Sequence, residues 1–246
     1  MDKRLVPNVS VDSVVFGFDS IHLNILLVGR AIVEDGVLYH DWKFPGDLIR
    51  KDEDIDTASE RILKELTGLE KIYMKQLKAF GALDRLEKRP RDMSWLISID
   101  HPERRVITIP YYSLINLSKN SNNGLRLNEN ARWFPVDEAK KLPLAFDHLE
   151  ILEFALETLQ NELRTKPLAF ELLPQKFSLS QLQKIYEVIF EMDLDKRNFR
   201  KKIANLSYIV PLNEKENDVS HRPAKLYMFS RDVYLRLKTQ NFDFTI

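Results

Sequence analysis

Asp195-Lys196-Arg197-Asn198-Phe199-Arg200-Lys201-Lys202-Ile203-Ala204-Asn205-Leu206 is the stretch on which the reading of this chain turns. It reads as a short helix with one apolar and one basic edge. Asp195 suits the N-cap, where its carboxylate accepts from free amides of the first turn. Phe199, Ile203 and Leu206 recur at i, i+4, i+7, which directs one stripe to a core. Lys196, Arg197, Asn198, Arg200 and Lys201 occupy the rest of the circumference, with no acid among them. Arginine can bond guanine in bidentate fashion, asparagine can do the same for adenine, and lysine neutralises phosphate. The face therefore suits the DNA major groove, although a basic helix edge can also be plain solvated surface.

The neighbouring sequence favours DNA. Upstream, Phe177-Ser178-Leu179-Ser180-Gln181 contains the S-x-x-Q of a capping box, opening a helix that continues through Phe190. Its buried face is expected at Leu182, Ile185, Tyr186, Ile189 and Phe190, and Met192-Asp193-Leu194 turns the chain into the basic helix. Downstream, Tyr208–Leu212 and Ala224–Phe229 read as two strands around a polar loop that carries His221 and Arg222. Helix, turn, basic helix and hairpin make a winged helix-turn-helix, with Arg222 and Lys225 as wing contacts to phosphate or the minor groove. A hairpin without DNA contact is the plainer alternative.

The formal net charge is zero, so a nucleic-acid contact must come from a local patch. From Pro167 onward 13 Lys and Arg stand against 10 Asp and Glu, and the excess concentrates at 196–202. There is no cysteine, which excludes disulfides, thiolate metal sites and cysteine catalysis. Met1–Pro7 has no apolar leader core and no stretch approaches ~18 apolar residues, so a soluble cytoplasmic protein is expected, with no membrane partner.

The rest of the chain reads as a separate α/β domain. Val9–Phe18 and Leu23–Val28 are strands rich in β-branched residues; Asp41–Leu48 is an aromatic-flanked Pro-Gly turn leading to another strand. A helix is expected from Asp56, as N-cap, to Thr67, with Gly68 as left-handed C-cap. Lys78–Leu83, Val106–Ile115 and Arg132–Val136 read as strands, with Pro110 forcing an edge or bulge. Asp147–Leu163 reads as a helix with Ile151, Phe154, Ala155 and Leu159 buried, and Lys166-Pro167 ends it. Residues 1–165 and 166–246 are the expected domains, the first a mixed-sheet α/β/α sandwich.

Gly46, Glu53, Arg61, Glu65 and Gly68-Leu69 resemble the Nudix box, G-x5-E-x7-R-E-U-x-E-E-x-G-U, where U is aliphatic. The loop's final glycine is replaced by Asp47. The helix glutamates of that motif are expected at i, i+3 and i+4 to hold Mg²⁺ against a diphosphate, and here those positions are Ile62, Glu65 and Leu66. One carboxylate beside two aliphatic groups should not bind a divalent cation strongly, so no metal, no cofactor and no hydrolase activity are expected. Glu65 is then expected to pair with Arg61, and Glu53 to sit as a loop acid near a helix N-terminus.

Phe80-Gly81-Ala82-Leu83-Asp84-Arg85, with Val106–Ile115, is similar to the F-G-x-x-D-R … V-x-x-x-Y-x-x-L pattern of Nudix-related transcriptional regulators. Leu144-Ala145-Phe146-Asp147-His148 resembles their L-A-F-D-H element. The segments F-S-L-S-Q-L-Q-x-x-Y-E, D-K-R-N-F-R-K-K and R-P-A-K-L-Y-x-F resemble their winged-helix half. The resemblance implies a homodimer on palindromic operator DNA, controlled by a small effector, either a pentose such as arabinose or ADP-ribose. It implies an effector cleft lined by Glu53, Arg61, Glu65, Asp84, Arg85, Asp147 and His148. The missing metal ligands favour a sugar over a diphosphate. As bare residues, Asp147 also suits an N-cap and His148 a solvated first turn. The rival class is a Nudix hydrolase with an appended domain; a third reading makes the winged helix a protein-interaction module. Residues 86–104, with Lys88-Arg89-Pro90-Arg91 and Met93–Ile99, depart from the pattern.

Overall fold

The computed structural model describes residues 5–34, 36–87, 92, 105–117, 127, 130–217 and 223–237. Arg222 and nearly all of 88–104 therefore lie outside the described residues.

The first strand, β1 (Leu5–Phe18), runs through the centre of the first unit, with Val11, Val14, Val15 and Phe16 fully buried. Such a run, apolar on both faces, suits a strand covered on both sides. It is joined in the sheet by β2 (Leu23–Glu34), β3 (Val37–Lys43), β4 (Gly46–Arg50), β5 (Tyr73–Gln76), β6 (Ile107–Thr108), β7 (Tyr111–Asn116) and β8 (Ala131–Pro135). The main order is β3-β2-β1-β7-β5; β4 and β6 also pair with β1, and β8 with β2. The β1–β6 pair is parallel and β1–β4 antiparallel, so the sheet is mixed as expected.

Helix α1 (Ile55–Thr67) is capped by Asp54, whose side chain accepts from Thr57 N, so the N-cap lies two residues earlier than expected. Gly68 closes it in the left-handed conformation at φ 78. Lys78–Leu83 does not form the expected strand: Phe80 alone bridges to Thr108, and Leu83 is 77% exposed. Pro110 divides Val106–Ile115 into β6 and β7, with its carbonyl accepting from Leu77 N. A short α2 (Val136–Ala139) and the long α3 (His148–Leu163) follow.

The second unit adds a 3₁₀ turn (Leu168–Leu172), β9 (Phe177–Ser178), α4 (Leu179–Phe190), α5 (Lys196–Ala204), β10 (Ile209–Lys215), β11 (Lys225–Phe229) and α6 (Arg231–Leu237). Its sheet runs β10-β11-β9, all antiparallel. Pro211 is tolerated because β10 is an edge strand. The first unit takes in Met1–Phe16, Asn24–Leu114 and Asn123–Leu156, and the second takes Gly17–Leu23, Ile115–Asn122 and Glu157–Ile246, as far as these are described.

Candidate effector and DNA sites

On the Nudix-like helix α1, Ile62 and Leu66 of the motif face turn inward while Glu65 stays half exposed. Ile62 is fully buried in an apolar cluster with Val11, Ala58 and Tyr111, and Leu66 packs against the same cluster. The remaining glutamate, Glu65, accepts from Arg61 Nη1 at 3.0 Å and Arg50 Nη2 at 3.2 Å. Glu53 receives Arg61 Nε at 2.8 Å, Arg61 Nη2 at 2.5 Å and Arg50 N at 2.8 Å. These charge-assisted bonds hold the Glu53 carboxyl below the usual carboxylate range and raise the Arg61 pKa. Glu53, Arg61 and Glu65 therefore staple the loop after β4 to α1. Mg²⁺ would need oxygen ligands where this helix offers two aliphatic side chains and a glutamate committed to arginines, so the residues present do not fit it. Among the described residues no group of three or more His, Cys, Asp or Glu is arranged to hold a metal ion.

The polar centre of the first unit lies beyond that helix. Arg85 and Asp147 meet in a buried bidentate pair, Nε–Oδ2 and Nη2–Oδ1 both at 2.9 Å, and Arg85 Nη1 donates to Val106 O at 3.1 Å. The Asp147 carboxylate thus pairs with Arg85 from the position just before the first residue of α3. His148 is 1% exposed, contrary to the solvated reading. Its ring stacks on Phe44 at 4.7 Å and its Nδ1 accepts from Phe44 N at 2.9 Å. The proton of the neutral ring then sits on Nε2, 3.7 Å from Asp12 Oδ1. Asp84 is exposed, and its backbone carbonyl accepts from Glu87 N.

Several residues here escaped sequence reasoning. Asp12 is buried, accepts from Thr108 Oγ1 at 2.6 Å, and has its pKa raised by burial. A Cβ on Gly46 would come within 1.8 Å of Asp12 Oδ1, so the Pro-Gly turn needs glycine for this close approach. Lys43 donates to Gly46 O at 2.9 Å, and burial lowers its pKa. Arg30 pairs with Asp41 (2.8 and 2.6 Å) and with Asp92 (2.8 Å). The legible signal was a lone Asp in the apolar run of β1; nothing marked Asp92. Asp12, Lys43, Gly46, Arg85 and Phe146 line a cavity of only about 20 Å³.

In the second unit α5 has the expected polarity. Phe199 and Ile203 are buried, while Lys196, Arg197, Asn198, Arg200, Lys201 and Lys202 are exposed. Asp195 caps the helix, its side chain accepting from Asn198 N at 2.8 Å. Among the described residues Lys196, Arg197, Arg200 and Lys201 have no ion-pair or side-chain hydrogen-bond partner, so their donors are available to an external anion. The capping box of α4 is complete, Ser178 accepting from Gln181 N and Gln181 from Ser178 N. Exposed Lys225 stands opposite exposed Lys215 at the base of the wing. An open recess of about 550 Å³, lined by Met192–Asp195 and by Phe199, Lys201 and Lys202, flanks α5.

Comparison with known proteins agrees with this two-part geometry. Residues 6–154 match the NUDIX domain and residues 169–229 the NrtR DNA-binding winged helix domain. A relative described as ADPR responsive transcriptional repressor NtrR, from Acinetobacter baylyi, is 30% identical over 230 residues, covering 93% of this chain and 84% of the relative. The chain belongs to the NrtR-type Nudix regulators. A crystal structure of Shewanella oneidensis NrtR superposes with TM-score 0.70 at 25% identity, covering 91% of this chain and 94% of that one. The same protein complexed with a 27mer DNA gives 0.71 at 24% identity, over the same shares of both chains. This NrtR-type chain is accordingly a DNA-binding transcriptional regulator whose degenerate Nudix domain senses a small metabolite. No helix among its described residues is long and apolar enough to cross a membrane.

His148 gives this NrtR-type sensor domain a measurable acid sensitivity. Burial pushes its pKa down from 6.5 to about 3. The unfolded chain takes up the proton below pH 6.5 and the native protein only near 3, so stability is full above 6.5 and falls on acidification. The slope from this residue is about 1.4 kcal/mol per pH unit within that window. Asp12, with its raised pKa, binds a native proton before the unfolded carboxyl does and offsets part of the loss at the acid end. Melting temperatures of wild type and His148→Gln between pH 7 and 4 check this: the variant should show the flatter profile.

Proposed function

We propose that this chain is an ADP-ribose-responsive transcriptional repressor that binds its operator as a homodimer and does not hydrolyse its effector. The observation that carries the DNA half is the exposed cationic face of α5, where Lys196, Arg197, Arg200 and Lys201 have no partner among the described residues and Phe199 and Ile203 anchor the other side. Lys196, Arg197, Asn198, Arg200 and Lys201 enter the major groove, with Lys225 on the wing touching backbone phosphate.

ADP-ribose is favoured over a pentose by the description of the Acinetobacter relative. Asp84, Arg85, Asp147 and His148 frame the cleft, and Glu53, Arg61 and Glu65 brace the loop beside it. The lack of hydrolysis follows from Ile62 and Leu66, which replace metal-binding glutamates with groups packed in a core. A homodimer is supported by Val33, Val37 and Leu38, exposed by half or more on the β2–β3 hairpin, an apolar patch of the kind that marks an interface. Twofold symmetry would match a palindromic operator.

One titration tests these points. Full-length protein on fluorescent duplex from upstream of its own gene is expected to bind with a steep salt slope and with two chains per duplex. ADP-ribose should then release the DNA, arabinose should not, and AMP should not accumulate in the presence of Mg²⁺. Release by arabinose alone would overturn the effector assignment; rapid AMP formation would restore the hydrolase.

A further inference from the structure

Lys43 and Asp12 meet on either side of one glycine. Lys43 is half-buried, and its Nζ donates to Gly46 O at 2.9 Å. Among the described residues it has no ion-pair partner. Asp12 is buried and stands opposite Gly46 in the β1–β4 ladder. Gly46 brings the two groups together: its carbonyl holds the amine, and Asp12 Oδ1 fills the space where a Cβ would stand. Both side chains line one cavity of about 20 Å³, with the exposed Asp47 at its edge. That volume holds roughly one water, so it accepts a carbonyl oxygen while the rest of a ligand stays outside.

The protonation of the two groups suits one kind of chemistry. Burial raises the share of Lys43 that is a free amine and the share of Asp12 that is a protonated carboxyl. One N–H of that amine reaches Gly46 O, which leaves the nitrogen lone pair for a reacting carbon. Asp12 Oδ2 accepts from Thr108 Oγ1 at 2.6 Å, and Oδ1 lies 3.7 Å from His148 Nε2, too far for a hydrogen bond. Oδ1 is therefore the oxygen that carries the proton, on the side of Gly46. A desolvated lysine next to a proton donor is the arrangement that condenses with a carbonyl.

We propose that Lys43 is a reversible covalent capture site for the aldehyde of a reducing sugar, with Asp12 as its proton donor. The Lys43 lone pair forms a C–N bond to C1 of the open-chain sugar, and the carbonyl oxygen takes the proton that the nitrogen releases. The resulting hydroxyl then leaves as water with the Asp12 proton. An iminium on Lys43 remains beside an Asp12 carboxylate, and hydrolysis reverses both steps without oxidant or reductant. ADP-ribose carries such a carbon on its terminal ribose, and free pentoses carry one too. A dinucleotide in which that carbon is already bonded to a base cannot react, so the site would distinguish a sugar end from its glycosylated parent. This deepens the sensor reading of the first unit and rests on it, but its test does not depend on the effector being ADP-ribose.

The test is mass spectrometry of full-length protein incubated with ADP-ribose, ribose 5-phosphate or NAD, each with cyanoborohydride to fix an imine as a stable amine. Calorimetric titration with ADP-ribose, without reductant, runs beside it. The expected result is a single adduct, mapped to Lys43, from ADP-ribose and ribose 5-phosphate, and none from NAD. Asp12→Asn should slow the adduct about 100-fold, as for loss of a general acid, and Lys43→Met should abolish it. Wild type alone carries the test if neither variant folds. Absence of a Lys43 adduct with both sugars would overturn the proposal, and ADP-ribose binding in the calorimeter would then leave the sensor reading standing. A Lys43 adduct with ribose 5-phosphate but no ADP-ribose binding would support the capture site and reject ADP-ribose as effector. Adducts spread over exposed lysines, with Lys43 reacting no faster than they do, would also overturn it.

Discussion

Replacing Arg197 and Arg200 together by alanine is expected to lower operator affinity at least about 30-fold, because each arginine that reads a guanine edge is worth about 1–3 kcal/mol of discrimination and 1.4 kcal/mol is tenfold. Both side chains are exposed on α5, Arg197 opposite the buried Phe199 and Ile203 and Arg200 on the flank beside them. Neither has a protein partner to lose among the described residues, so thermal stability should stay within about 0.5 kcal/mol of wild type. That combination separates a DNA contact from a folding defect. Lys196→Ala should behave differently, weakening specific and scrambled duplexes alike and lowering the salt slope by about one. Anisotropy on both duplexes across a salt series checks each point. Unaltered operator binding by the double arginine variant would leave the basic edge of α5 a solvated surface and return the winged helix to the protein-interaction reading.

The second unit was legible because its signals are local. A capping box, an Asp N-cap and apolar residues at i and i+4 all act within one or two turns, and α4 and α5 form where these place them. β9 was missed, since two residues, Phe177 and Ser178, become a strand only by pairing with β11. α6 was missed too, although Ser230, whose hydroxyl accepts from Val233 N, marks its start. In the first unit the β2–β3 hairpin had a local signal, Asp35-Gly36, that went unused. Lys78–Leu83 erred the other way: its apolar composition resembles a strand, but among the described residues only its Phe80 makes a bridge, to Thr108.

The sensor site was legible only in outline. The sequence showed which metal ligands were absent, and Ile62 and Leu66 do fill a core instead of a metal shell. It could not show that Arg85 meets Asp147 across 62 residues, or that His148 is stacked on Phe44 and shielded from water. These are tertiary facts, set by how the turn after Phe80 meets the start of α3. Arg30, Asp41 and Asp92 belong to no motif: the first two come from a hairpin and the third from a stretch where the family pattern fails.

The largest stability effect is expected at Arg85 and Asp147, whose side chains are 4% and 2% exposed. Asp147→Ala strands a buried guanidinium and Arg85→Met strands a buried carboxylate; each should cost about 3–5 kcal/mol. The pair itself is another matter, because its desolvation offsets much of its Coulomb energy. Arg85→Met combined with Asp147→Leu should therefore recover most of the loss, leaving strong non-additivity in a double-mutant cycle. Urea midpoints at constant m check this, and additive losses would mean the two side chains do not act as a unit. The same double variant separates positioning from contact. All the nitrogens of Arg85 are engaged, two with Asp147 and one with Val106 O, whereas Arg30 retains a buried unpartnered Nη1. Arg85 is thus expected to hold the cleft in shape without gripping the effector, and the refolded double variant should bind ADP-ribose within a few-fold of wild type. Complete loss of binding in a stable double variant would instead make Arg85 a direct ligand, one that must leave Asp147 each time the effector enters.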